Sequence, residues 1–314
     1  MPTEPIPRRR GLLVAAQALL LTAAVTACAD PAPSGPVTDG TNPGAEAPGS
    51  PATAPSPAGA PGASLVARLD GGPGVGAVAL LAIDGDTVTY SLTWSGFRAP
   101  RSARIVGGDA TTAVELFGSP LPDSATSVAG RTTVTDAALA ERLRTAPTGF
   151  AVSVAAPGLP GGTLGGAVAA SPTPVDPLGA LPAGVLRAVA DGRQESGGGD
   201  GDGGGGGTAT GDRDAETTVS LSPGKGTITY SLTWRNLEPP TAAHVHRGAL
   251  GQDGEIAIPL FTTPVPANVT GLAGTAPAGD AATLSRLATA PGGFYVGLHT
   301  ADFPRGAVRG QIFR

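Results

Sequence analysis

The stretch Thr227-Ile-Thr-Tyr-Ser-Leu-Thr-Trp234 sets Ile228, Tyr230, Leu232 and Trp234 at alternate positions, with threonine and serine between them. Successive side chains of a strand point to opposite faces, so this pattern is a strand with one buried and one polar face. Nearly the same eight residues occur earlier as Thr87-Val-Thr-Tyr-Ser-Leu-Thr-Trp94, and Thr145-Ala-Pro-Thr-Gly-Phe150 returns as Thr289-Ala-Pro-Gly-Gly-Phe294. The chain therefore holds two copies of one architecture. Its only two tryptophans, Trp94 and Trp234, fall at equivalent positions, which marks both as core.

Working outward from this strand, Thr217–Leu221, Ala243–His246, Glu255–Phe261, Phe294–His299 and Ala307–Phe313 read as further strands separated by glycine and proline turns. Only Ala281–Leu287 and its counterpart Ala137–Leu143 have a helical pattern, each about two turns long. Many short strands with little helix predict an all-β protein of two tandem antiparallel β-sandwich domains. In the first copy Leu65–Leu69 is a candidate opening strand. The second copy has only a glycine tract at the corresponding place, so it is expected to stand without that strand or to borrow one.

The ends and linkers set the compartment. Arg8, Arg9 and Arg10 precede an apolar run from Gly11 to Val25, and Val25-Thr-Ala-Cys28 follows, which is the order of a secretory signal peptide. Small residues before a cysteine resemble the bacterial lipobox, so residues 1–27 are expected to be removed and Cys28 to carry lipid. Arg9-Arg10 before Gly-Leu-Leu also resembles a twin-arginine export signal. Cys28 is the only cysteine, which excludes a disulfide within the chain. Residues 28–62, rich in Pro, Ala and Gly, read as an extended tether, and 191–214, with its Gly/Asp run, as a linker. Those segments leave 63–190 and 215–314 as the two folded copies. Loss of residues 1–27 moves the formal charge from −5 to about −7, so the chain lacks the basic footprint that nucleic acid requires.

Two of the three histidines, His244 and His246, lie two apart on one expected strand and therefore share a face, while His299 ends another. Three imidazoles brought together suit zinc or copper. Alternatively the three form a structural polar cluster, with Arg309 and Gln311, also two apart, as hydrogen-bond partners. The structural cluster is the working expectation, with no cofactor, and the metal site is the alternative.

Three blocks carry a family resemblance: AAHVHRG at 242–248, DGEIAIPLF at 253–261 and FYVGLHTADFPRGAVRGQI at 294–312. Together they resemble the CHRD domain, named from chordin and common in secreted bacterial proteins, over about Thr217 to Phe313. The resemblance implies a β-sandwich outside the cytoplasm but no defined partner. Gly297 stands where that family usually has Asn, and Ala307 where it usually has Glu. The first copy, about Ser64 to Val168, is a degenerate version. Arg104 and Val106 stand opposite His244 and His246, Ala155 opposite His299, Gly165 opposite Arg309 and Ala167 opposite Gln311.

No catalytic residue is expected. A superoxide dismutase would need more histidines than three and an aspartate, and Ser220 and Ser231 lie within strands with no nucleophile elbow. Gly248–Gly254 has the composition of a surface hairpin loop, with no Lys-Ser/Thr and helix to make a phosphate loop. The sequence thus predicts a lipid-anchored, extracytoplasmic binding or structural module. Its partners are the membrane, through Cys28, and an extracellular protein or envelope ligand. The runner-up is a metal-binding sandwich with a redox role.

Overall fold

The computed structural model describes residues 62–109, 112–195 and 211–314. The expected signal peptide, Cys28, nearly all of the expected tether and the centre of the Gly/Asp tract lie outside the described residues.

The first copy consists of β1 (Ala63–Asp70), β2 (Gly76–Asp84), β3 (Thr87–Ser95), β4 (Ser102–Gly107), β5 (Ala113–Phe117), β6 (Ala125–Thr133), α1 (Ala137–Thr145), β7 (Phe150–Ala155) and β8 (Thr163–Ala170). The second repeats it with β9 (Leu186–Asp191), β10 (Glu216–Pro223), β11 (Thr227–Arg235), β12 (Ala242–Arg247), β13 (Ile256–Phe261), β14 (Val269–Pro277), α2 (Ala281–Thr289), β15 (Phe294–His299) and β16 (Val308–Gln311). All pairings are antiparallel. In the first copy the strand order is β6-β3-β2-β1-β8-β7-β4-β5, and in the second β14-β11-β10-β9-β16-β15-β12-β13. Each copy is thus two four-stranded layers folded on one another, with the alternating apolar residues between them. Tyr90, Leu92, Ile105 and Val152 fill the first core, and Tyr230, Leu232, Val245 and Val296 the second. Trp94 and Trp234 are buried, as their equivalence predicts.

The two helices close matching ends. Asp136 caps α1 by accepting from the backbone N–H groups of Ala138 and Leu139, and Asp280 caps α2 by accepting from that of Thr283. Each helix buries a short apolar stripe, Leu139 and Leu143 in α1 and Leu284 and Leu287 in α2.

The expected boundary between the copies needs correction. Leu186–Asp191 pairs along its length with β10 and touches β16 through Arg309↔Asp191, so it is the opening strand of the second copy. Leu186, Ala188 and Ala190 point into the core while Arg187 and Val189 face out. The Gly/Asp tract is therefore not a linker between domains. It joins two paired strands, in the place occupied in the first copy by Gly71–Val75. No strand is borrowed, because the strand was there upstream of the glycines.

The copies are also not separate bodies on a string. Strand β14 pairs with β6, which makes one continuous sheet of sixteen strands. In that pairing Leu272 lies opposite its own equivalent, Val128, while Val269 faces Gly130 and Gly274 faces Ala125. A pseudo-twofold axis therefore runs between Val128 and Leu272. The side chains follow it: the Tyr90 hydroxyl lies 2.9 Å from the Leu116 carbonyl oxygen and reaches across to within 3.2 Å of that of Asn268, and the equivalent Tyr230 hydroxyl reaches across to Ser124 Oγ at 2.8 Å. Glycine is required at Gly130 and Gly274, since a Cβ at either would overlap the carbonyl oxygen of Asn268 or Ser124.

Candidate functional site

The polar face of the second copy is set by register. On β12 and β15, Ala242 lies opposite His299, His244 opposite Gly297 and His246 opposite Tyr295. On β15 and β16, Gly297 lies opposite Arg309 and Tyr295 opposite Gln311. Cross-strand partners share a face, so His244, His246, His299, Tyr295, Arg309 and Gln311 all project from one side of the sheet, around a position with no side chain, Gly297.

The three histidines do come together. Each offers a ring nitrogen, and these nitrogens all lie within 4.8 Å of one another. His244 Nδ1 is 3.3 Å from His299 Nε2. The other contacts fix two of the rings. His246 Nδ1 is 3.0 Å from the Gly254 carbonyl oxygen, and His299 Nδ1 is 3.1 Å from that of Pro304. A carbonyl can only accept, so both Nδ1 atoms carry hydrogen and both Nε2 atoms present a lone pair in the neutral ring. His246 is further held by stacking on Tyr295, with centroids 4.8 Å apart and planes within 6°.

Arg309 and Gln311 lie on the same face as the histidines, and both hydrogen-bond to the neighbouring loop. Arg309 is 1 % exposed; its guanidinium donates to Asp253 Oδ1 at 2.6 Å, Gln252 O at 2.6 Å and Ala249 O at 3.2 Å, and lies 3.5 Å from the Tyr295 ring centroid. Gln311 Nε2 donates toward the carbonyls of Gly248, Gly292 and Phe294. Both side chains therefore clamp the loop Gly248–Gly254, and this loop delivers the carbonyl that orients His246. The physical reason is reach: the loop folds back over β15 and β16 and brings acceptors to the guanidinium that alternation along the strands does not reveal. Asp253, Tyr295, Gly254 and Pro304 were missed as members of the site. Tyr295 was legible, being two residues from Gly297 on the same face, whereas the loop carbonyls were not.

Burial sets the electrostatics. The His244 ring is pushed down to about 4, mainly by loss of solvation and then by its two histidine neighbours. His246 and His299 are also lowered by burial, partly offset by the carbonyls that accept from them. All three are neutral at pH 7. Burial likewise pushes the Glu195 carboxyl up to about 7, with Arg309 drawing it down and Asp253 pushing it up.

A pH dependence follows for the metal-free protein. Between about pH 6.5 and about pH 4 the unfolded chain binds a proton at His244 that the folded chain refuses. Stability is thus complete above pH 6.5 and falls as pH drops toward 4, by at most about 3 kcal/mol from this group. Urea melts in the presence of a chelator at pH 7.5 and pH 5 measure it. His244→Gln should reduce the difference, leaving the part due to His246 and His299; an unchanged slope in that variant would assign the pH dependence to other groups.

Residues 186–312 match the CHRD domain. No curated protein and no solved structure matches the chain. The CHRD match begins at Leu186, the first residue of β9, which agrees with the corrected boundary, and it contains every member of the polar face. CHRD domains are in general non-catalytic and typically extracellular. Among the described residues no helix is long and apolar enough to cross a membrane.

Proposed function

We propose that this protein is a non-enzymatic binding module of the CHRD type, held outside the cytoplasm by lipid on Cys28, and that the polar face of its second copy is the recognition surface. One observation carries the reading. The first copy builds the same eight strands in the same order with Arg104, Val106, Ala155, Gly165 and Ala167 where the second has His244, His246, His299, Arg309 and Gln311. The polar set is therefore not needed to make the fold, and buried polar groups cost stability unless they are satisfied. Arg309 and Gln311 hold the loop Gly248–Gly254 of this copy, which leaves the three histidines, absent from the first copy, as the part best explained by something they bind. The ligand class at the cell envelope is an extracellular protein or another envelope component, with the acidic chain disfavouring nucleic acid.

Two measurements test it. Cys28→Ser should release the protein from membranes into the soluble fraction with unchanged melting, since stable anchoring needs more than one acyl chain and the lipidated cysteine would supply them. Retention of Cys28→Ser on salt-washed membranes would remove the lipid reading. Pull-downs from envelope material should lose their specific partner when His246 and Gln311 are exchanged for the Val and Ala of the first copy. Equal capture by both forms would move recognition away from this face.

A further inference from the structure

We propose that His244, His246 and His299 bind one transition-metal ion, zinc or copper, in the socket over Gly297. This rests on the reading of the polar face as a binding surface and gives that surface a ligand chemistry.

Because Gly254 O and Pro304 O hold the Nδ1 hydrogens, His246 and His299 turn bare Nε2 lone pairs toward the same space. His244 Nδ1 can donate one hydrogen, and His299 Nε2, at 3.3 Å, is the acceptor in reach. The His246 Nε2 lone pair then faces no protein donor among the described residues. That acceptor is not among the sealed, unsatisfied polar atoms of the fold, so it is open to solvent and to a ligand, and an ion uses all three lone pairs at once. The arrangement also has the support that metal-bound imidazoles need, the second ring nitrogen of two ligands being pinned by a backbone carbonyl.

Geometry agrees. With bonds of about 2.0–2.1 Å, two nitrogens on a tetrahedral zinc are separated by about 3.3 Å, which is the His244–His299 separation; the three nitrogens as a set lie within 4.8 Å, so the His246 ring has to close in for an ion to take all three. The ligands come from adjacent, hydrogen-bonded strands, so their spacing is held by the sheet. Room exists because residue 297 has no side chain. The place a Cβ would take there is 3.6 Å from His246 Nε2 and 3.9 Å from His299 Nε2, so glycine keeps the space beside both lone pairs clear. Three neutral nitrogen donors with no carboxylate among them favour zinc or copper over calcium or magnesium, which take oxygen ligands.

The test is titration calorimetry of the full chain, stripped with chelator, against Zn(II), Cu(II) and Mg(II), with Co(II) absorption as a spectroscopic check on geometry. The expected result is about one equivalent of zinc or copper per chain, no magnesium, and a melting temperature that rises with added metal. His246→Val, which places in the second copy the residue the first copy carries, should weaken binding at least about tenfold and abolish the metal-dependent rise. Should that variant fail to fold, His299→Ala serves instead, since it removes a second ligand and again installs the residue that the first copy carries, Ala155. Absence of stoichiometric binding by the wild type, or binding undiminished in a folded His246→Val or His299→Ala protein, overturns the proposal. The pull-down with envelope material reads the wider binding role separately, since it can succeed in chelator.

Discussion

A fragment spanning residues 215–314 is expected to remain unfolded, whereas one spanning 186–314 folds and pairs with itself. The shorter piece lacks β9, which lies between β10 and β16. Its loss strips the buried Leu186, Ala188 and Ala190 from the core, and exposes the inner edge of β10. Losing one buried leucine alone costs about 2–5 kcal/mol, against a total stability of about 5–15 kcal/mol for a domain. The longer piece keeps its core but uncovers β14, whose edge in the full chain is covered by β6. An exposed edge strand seeks a partner, and the pseudo-twofold register shows that β14 can be its own, with Leu272 opposite Leu272 of a second molecule. Circular dichroism separates folded from unfolded, and light scattering gives the mass. A folded 215–314 fragment would refute the placement of β9, and a strictly monomeric 186–314 fragment would show that the edge is protected in another way.

The second large effect is expected at Arg309. Arg309→Met should destabilise the protein by about 3 kcal/mol or more, because the carbonyls of Ala249 and Gln252 lose their charged donor and Asp253 its ion-pair partner. Arg309→Lys should recover little of this, since an ammonium cannot reproduce a fork that reaches three acceptors while lying on the Tyr295 ring. Equilibrium urea unfolding measures both. The same variants should free the loop that carries Gly254 and so unpin the His246 ring. A loss below about 1 kcal/mol for Arg309→Met would mean that the loop is held chiefly by its own turns.

What could be read from the sequence follows the range of the interactions concerned. The alternation in Thr227–Trp234 and its recurrence at Thr87–Trp94 are local, and they led directly to the strands, the duplication and the burial of both tryptophans. The meeting of His244 and His246 on one face followed from the same period of two. Strand β9 escaped because the glycine tract that follows it looks like a boundary between domains, although Leu186, Ala188 and Ala190 alternate correctly with Arg187 and Val189. Composition outweighed a short periodic signal there. The pairing of β6 with β14 could not be read at all, because either edge would accept many partners and the choice is made by Gly130 and Gly274 only once the sheets exist. Arg309 lies between these cases: its burial opposite Gly297 was a matter of register, but its acceptors belong to a loop whose path no periodicity describes.

The axis between Val128 and Leu272 has a consequence for how the two copies can differ. Two free molecules meeting across such an axis would associate according to their concentration and separate on dilution. Joined in one chain, each copy meets the other at an effective concentration that short tethers place in the millimolar range, whatever the protein's abundance. A free pair built from one sequence must also carry every feature twice, once on each side of the axis. The joined pair is released from that rule, so one half can shed its histidines and arginine and serve as a permanent partner for the exposed edge, while the other keeps a single copy of the polar face.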